Sequence, residues 1–373
     1  MRRIETEERN SHGGEDRSGR ILCDFSVNIN PLGMPEAAKA ALGGSWKIYE
    51  EYPDDRCGLL REALGHQFGF GPERVVCGNG ASDLIYRLCL TAGMEQALLP
   101  VPAFSEYARA LRAAGCRVRT LQTAEETGYR FEEAMLGEIG ESCDALFLCN
   151  PSNPAGGLIT GDLMEKIAER CEQNGTLLVV DECFLGFVEG GEKHSAVPYA
   201  AEGKNVVVLK AFTKIFAMAG LRLGFALFGS RNLAERILRF GAPWQVSGPA
   251  QAAGLAVLAS EEERRAYLAA TVRHIAEERA RMEREMKRLG LVTVPGAANY
   301  ILFRAEPDLG TQLAVKGFAL RDCSNYEGLS RRQAKEDDTD TERSRRIYYR
   351  AAVRKAEENR LLLQAMEECI RWR

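Results

Sequence analysis

Between residues 53 and 240, short runs of consecutive apolar residues alternate with longer stretches in which apolar positions return every three or four residues. The runs at 74–77, 96–101, 116–121, 145–148, 176–180, 206–209 and 223–228 predict strands. The periodic stretches at 82–92, 106–114, 162–173 and 231–240 predict helices. A strand that is apolar on both faces has to be covered on both faces. Repeated strand–helix alternation of this kind therefore predicts an α/β fold, with a mostly parallel seven-stranded sheet between helices. Ligands of such sheets bind beyond the strand ends, so the loops that follow these runs are where chemistry is expected.

Past residue 246 the pattern changes. A long, charged, helix-favouring stretch covers 248–289 with an interruption near Ser260, followed by a strand at 300–303 and a short helix at 310–316. Strands near 318–321 and at 347–353 and a final helix at 356–373 complete a smaller α+β unit. Three parts are expected: residues 1–45 as an arm that joins the small domain, 46–245 as the large domain, and 246–373 as an interdomain helix with the small domain. The segment 330–346 is densely charged with almost no apolar residue and predicts a solvated surface loop.

Composition narrows the class. The 373 residues are 45% hydrophobic and carry 49 basic against 53 acidic side chains, a net charge of −4. Nucleic acid and anionic membrane are therefore not expected as partners. Apolar runs fall far short of the roughly 20 residues a bilayer requires, and the charged first 20 residues do not read as a signal peptide. Eleven scattered cysteines without a C-x-x-C pair suit free thiols in a reducing compartment, so the cytoplasm is expected. Four histidines far apart in sequence predict no metal site.

Chemistry gathers at the ends of the apolar runs. Lys214 and Arg222 lie eight residues apart in KAFTKIFAMAGLRLG, between two predicted strands. A lysine in a confined apolar loop is readily deprotonated and can form a Schiff base with an aldehyde; an exposed surface lysine would read the same in isolation. Asp181 ends the run VVDE, where a carboxylate can hold a cationic ring nitrogen or simply cap a helix. Asn153 sits in CNPSNPAGG, where its amide can meet a ligand oxygen or serve turn chemistry. GNGAS, residues 78–82, follows one strand and opens a helix whose free N–H groups suit a phosphate. Phe104, after Pro102, can stack on an aromatic ligand or fill the core.

In this order, GNGAS, PVPAFSEY, NPSNPAG, VVDE, T-K and GLRLG resemble the fold type I pyridoxal 5′-phosphate (PLP) enzymes, in the branch with the histidinol-phosphate aminotransferases. The resemblance implies that Lys214 carries the Schiff base and moves the proton, that Asp181 keeps the ring nitrogen protonated, that Asn153 bonds the ring oxygen and that Phe104 stacks on the ring. It implies a phosphate held by Ala81, Ser82, Thr213 and Arg222. Tyr52, in EYPD, matches a family tyrosine that reaches the neighbouring subunit's phosphate, which implies a homodimer with composite sites. Arg350, in RIYYRAAVRKAEEN, matches the family arginine that grips the substrate carboxylate.

Within the branch, His12-Gly13-Gly14, DFSVNINPLGMP, RDCSNYEGL and YYRAAVR look closer to the cobalamin-pathway threonine-phosphate decarboxylases. So does Phe184, in place of a tyrosine. That likeness implies decarboxylation of O-phospho-L-threonine to (R)-1-aminopropan-2-yl phosphate, a cobalamin side-chain precursor. Arg321, Arg354 and His12 of a partner's arm would then grip the substrate phosphate, with Asn30 near the carboxylate. Two alternatives stand: an aminotransferase acting on histidinol phosphate or a related amino acid with 2-oxoglutarate, and a non-catalytic ligand-binding protein of the same fold.

Overall fold

The seven apolar runs of the first two thirds form one sheet. The computed structural model describes residues 13–14, 20–329 and 346–371. In chain order its strands are β1 (Cys23–Asp24), β2 (Val75–Asn79), β3 (Gln96–Val101), β4 (Arg117–Gln122), β5 (Ala145–Cys149), β6 (Leu177–Asp181), β7 (Val206–Ala211) and β8 (Leu223–Phe228). After a long helical stretch come β9 (Val292–Thr293), β10 (Tyr300–Ala305), β11 (Phe318–Ala319), β12 (Arg321–Asp322) and β13 (Ile347–Ala352). The large sheet runs β2-β8-β7-β6-β5-β3-β4, and only β8 is antiparallel to its neighbours.

Strand alternation divides this sheet between two cores. Leu146, Leu148, Leu178, Val180, Val206 and Val208 face one cluster, while Ala145, Phe147, Leu177, Val179, Val207 and Leu209 face the other. Helices cover both: Ser105–Ala113 packs on the second face, Gly161–Gln173 on the first. The first cluster continues without a break into Tyr300, Ile301, Phe303, Tyr349 and Ala351 of a four-stranded antiparallel sheet, β12-β13-β10-β9. A shared core thus holds the small sheet against one face of the large one.

The interruption at Ser260 is a helix boundary. Ser260 accepts a hydrogen bond from the Glu263 N–H at 3.2 Å, and Glu261–Glu263 fill the first turn of the helix Glu261–Arg288. Serine followed three residues later by glutamate is a capping arrangement, and acids in that turn complement the helix dipole. The preceding helix ends at Ala259.

One expected strand, near 318–321, is divided. Phe318–Ala319 pairs in parallel with Cys23–Asp24, whereas Arg321–Asp322 pairs antiparallel with β13. Leu320 lies where the chain changes partners, so each half serves a different sheet. The segment after β1 is tied to β13 as well: Phe25 O accepts from the Ala352 N–H at 2.9 Å. Most of the charged segment 330–346 lies outside the described residues.

Arg279 fastens the long helix to β10. Its Nη1 donates to Ala298 O at 3.0 Å and to Tyr300 O, and its Nη2 pairs with Glu283 at 2.7 Å. Arg279→Ala would leave buried carbonyls and a carboxylate without their donor, a loss of about 2–4 kcal/mol. The expected result is a lower midpoint in urea unfolding. An unchanged midpoint would show that this tie adds nothing to stability.

Candidate active site

Six strands of the large sheet deliver side chains to one edge. Parallel β3, β5, β6 and β7 lead at their carboxyl ends into Phe104, Asn153, Asp181 and Lys214 respectively. At the carboxyl end of β2 the chain turns directly into the helix Gly80–Ala92, so Ala81 and Ser82 stand in its first turn. Antiparallel β8 brings its amino end to the same edge: Leu223 pairs with Asn79 and Gly224 with Ala211, which sets Arg222 beside the β2 turn. These residues wall one cavity of about 370 Å³, together with Thr213, Arg321 and Arg350.

Two glycines make the close approach possible. Gly80 has φ +77°, and a Cβ there would strike the Arg222 guanidinium. A Cβ on Gly224 would lie 2.6 Å from the Ala81 nitrogen. Arg222 itself has φ 59°, a left-handed backbone that residues with a Cβ adopt rarely and that concentrates at functional sites. The result sets a guanidinium, the hydroxyl of buried Thr213 and a helix amino terminus on one cavity. That donor set suits a phosphate.

Lys214 stands in this cavity among other cations. Removal from water holds its ammonium below the usual lysine range, to about 8. The Arg350 charge pushes in the same direction, as does Arg222, while Cys183 opposes them. The amine is therefore available as a nucleophile and base near neutral pH.

Asp181 ends β6 and Glu182 follows it in still extended chain, so the two acids point to opposite faces. Asp181 faces the cavity, its Oδ2 accepting from the Tyr107 hydroxyl at 2.7 Å and its Oδ1 from the Cys183 N–H at 2.9 Å. Burial and the Asp181 charge raise the Tyr107 pKa well above the usual phenol value, which keeps that phenol a proton donor. Glu182 turns away. It pairs with Lys210 at 2.7 Å and accepts from Ser195 Oγ and the Ala196 N–H, fixing the loop beyond β6.

Arg350 lies on β13 between Leu302 of β10 and Arg321 of β12. Its Nη1 donates to Asn153 Oδ1 at 2.5 Å and its Nη2 to Ser26 O at 2.9 Å; its buried Nε has no partner. The Tyr300 ring lies 5.3 Å away under the guanidinium. With its oxygen engaged, the Asn153 amide keeps its NH₂ for a ligand. Arg321, directly across from Arg350, bonds Asn325 Oδ1 at 3.0 Å and also walls the cavity.

Three expected residues do not line this cavity. Asn30 is consumed by the fold: its Nδ2 meets Ile215 O, Tyr267 Oη and Thr271 Oγ1, and its Oδ1 accepts from the Leu32 N–H. The asparagine two positions earlier lines the cavity instead, with Asn28 Oδ1 buried and unpartnered. Both asparagines occur in the same NIN triplet, and only the packing of Asn30 against the long helix tells them apart. Arg354 points to Asp24 O and Glu358 and stacks over Phe25, so it braces the arm. Tyr52 is 80% exposed and stacks on Trp244 at 4.4 Å. His12 lies outside the described residues. The adjoining Gly13 lines the cavity of its own chain and the Gly14 N–H bonds Ser26 Oγ, in contrast to an arm expected from a partner. Sequence reasoning did not single out Ser26, Val27, Cys183 and Tyr326 as walls, although the first two and the last lie in the segments DFSVNINPLGMP and RDCSNYEGL.

Among the described residues no helix is long and apolar enough to cross a membrane. The profile of the family described as Aminotransferase class I and II matches residues 20–365. A threonine-phosphate decarboxylase of Salmonella typhimurium is 33% identical over 96% of this chain and 96% of its own length. The crystal structure of a histidinol-phosphate aminotransferase from Clostridium acetobutylicum superposes with a TM-score of 0.82 at 25% identity, over 94% of this chain and all of the other. A histidinol-phosphate aminotransferase from Sinorhizobium meliloti, solved in complex with pyridoxal-5′-phosphate, gives a TM-score of 0.77 at 21% identity, covering 94% of this chain and 92% of its own.

The lowered Lys214 pKa has a consequence for stability. Between pH 10.5 and about 8 the unfolded chain binds a proton there that the folded chain releases, so stability rises with pH across this window. Below it both states are charged and the folded state carries the whole burial cost, about 1–3 kcal/mol. Lys214→Met is expected to stabilise cofactor-free protein by that margin at neutral pH, with the advantage fading as pH rises past 8. Urea unfolding at several pH values reads it; an advantage that does not change with pH would rule out the lowered pKa.

Proposed function

This chain belongs to the class I and II aminotransferase family, and from that membership we propose that it is a fold type I PLP enzyme that decarboxylates O-phospho-L-threonine. The product would be (R)-1-aminopropan-2-yl phosphate, a precursor of the cobalamin side chain. One observation carries the choice of substrate: Arg350 and Arg321 stand side by side on the walls of the Lys214 cavity. Two guanidiniums so placed suit an amino acid that bears a second anionic group. The 33% identity to a threonine-phosphate decarboxylase over nearly the whole chain supports the same reading.

The residues fit the cofactor on their own chemistry. An amine whose pKa is lowered to about 8, a carboxylate facing the cavity, an amide with a spare NH₂ and a phosphate cradle meet in one place. When bound, PLP supplies an aldehyde for the amine and a protonated ring that withdraws electrons from the substrate α-carbon.

Each side chain then has a separate task. Ala81 and Ser82 N–H groups, Thr213 and Arg222 would hold the cofactor phosphate. Asp181, steadied by Tyr107, would keep a proton on the ring nitrogen, the Asn153 amide would donate to the ring oxygen and Phe104 would cover the ring. Arg350 takes the substrate carboxylate with its fork, and Arg321 takes the phosphate. Held in this way, the α-carboxylate would be the group lost as CO₂. Lys214, with a pKa near neutrality, then returns a proton to the α-carbon.

We read the working unit as a cytoplasmic homodimer. Trp46, Tyr52, Leu59 and Trp244 are large apolar side chains left exposed, and Tyr52 would reach across to a neighbouring phosphate. All eleven cysteines are free thiols, in keeping with a reducing compartment.

Purified holoenzyme given O-phospho-L-threonine is expected to release one CO₂ per aminopropyl phosphate and to form no glutamate when 2-oxoglutarate is added. Glutamate without CO₂, with histidinol phosphate as donor, would assign the aminotransferase reaction instead. An absorbance change with no product would assign a binding protein. Arg350→Ala is expected to lower kcat/KM about 30-fold or more, the cost of removing a buried, hydrogen-bonded charge from its ligand; wild-type values would dismiss it as the carboxylate grip.

A further inference from the structure

A second cavity of about 310 Å³ adjoins the first and shares three of its walls: Phe104, Arg321 and Tyr326. Three guanidiniums border it, those of Arg109, Arg112 and Arg321, and among the described residues Glu327 is the single acid there. Leu99, Val101 and Phe104 supply an apolar floor. Low-dielectric walls beneath cations of one sign focus the field outward.

Local structure does not account for this charge. Arg109 and Arg112 stand three residues apart on the helix Ser105–Ala113 and so share a face, where like charges weaken a helix. Arg109 is offset by Glu106 at 2.8 Å. Arg321 is turned toward Asn325 and the Tyr326 ring. Arg112 is exposed, and among the described residues no carboxylate pairs with it. Nothing in the packing requires an arginine at 112, whereas a dianion entering between Phe104 and Arg321 would meet its fork.

We propose that this second cavity is an outer anion site for a phosphate monoester, in which Arg112 captures the substrate phosphate on its way to Arg321. Arg112 is thereby a specificity-determining residue that acts on substrate entry. The proposal rests on the reading of a phosphorylated substrate.

The test compares holoenzyme with its Arg112→Ala and Arg112→Lys variants, using O-phospho-L-threonine and L-threonine across a range of ionic strength. Binding is read from the absorbance of the bound cofactor, so it registers whether or not CO₂ is released, and turnover is read in parallel. Arg112→Ala is expected to lower kcat/KM for the phosphorylated substrate about three- to tenfold at low salt, through KM, with the difference closing as salt screens the charge. Arg112→Lys should restore most of it, and the response to L-threonine should stay unchanged. Arg231→Ala, which removes an exposed cation elsewhere, controls for net charge and should have no effect. An equal loss with L-threonine, or no loss at low salt, overturns the outer site. Wild-type protein that binds O-phospho-L-threonine no better than L-threonine overturns the phosphorylated-substrate reading, and the outer site falls with it. Strong phosphate-dependent binding that Arg112→Ala leaves intact overturns the outer site alone.

Discussion

Cations crowd the cavity at the strand ends, and much of the surrounding structure serves to hold them there. Lys214, Arg222, Arg321 and Arg350 share one lining with Asp181 and Glu106 as the acids. Left to themselves such charges would separate or draw in counterions. Here they are held in place: Arg222 by a left-handed backbone conformation and two glycines, Arg350 by the Ser26 carbonyl and the Asn153 side-chain amide. The same crowding makes Lys214 give up its proton easily. A site prepared in this way favours an anionic visitor, because the desolvation cost has been met in folding and not at the moment of binding.

The fold was legible to the extent that periodicity speaks for it. Short, β-branched apolar runs such as VVVL and LLVV read as strands buried on two faces, and the sheet they form divides its residues between two cores by simple alternation. Ser260 was legible because a helix start leaves a chemical signature at its cap. The strand near 318–321 was not, since two residues in each half are enough to pair and nothing in their identities names the partner.

The candidate site was legible where a motif sits at a strand end, because the sheet itself fixes what lies there. Asp181, Asn153, Phe104, Lys214 and Arg222 meet for that reason. Legibility failed where neighbours compete. Asn28 and Asn30 share a triplet and a residue type, and the difference lies in contacts made more than two hundred residues away, with Tyr267 and Thr271. Arg350 and Arg354 differ in the same way: one faces Asn153 and the other the Asp24 carbonyl. Uncharged cavity walls such as Val27 and Tyr326 lie inside the segments DFSVNINPLGMP and RDCSNYEGL, but nothing in their residue type marks them as walls.

Arg350 holds the carbonyl of Ser26, and Ala352 beside it holds the carbonyl of Phe25. A stretch near the amino end and the last strand among the described residues are thereby stitched into a single recognition surface, although synthesis separates them by more than three hundred residues. A ribosome must therefore finish almost the entire polypeptide before selectivity exists, even though the sheet bearing the reactive amine has long since emerged.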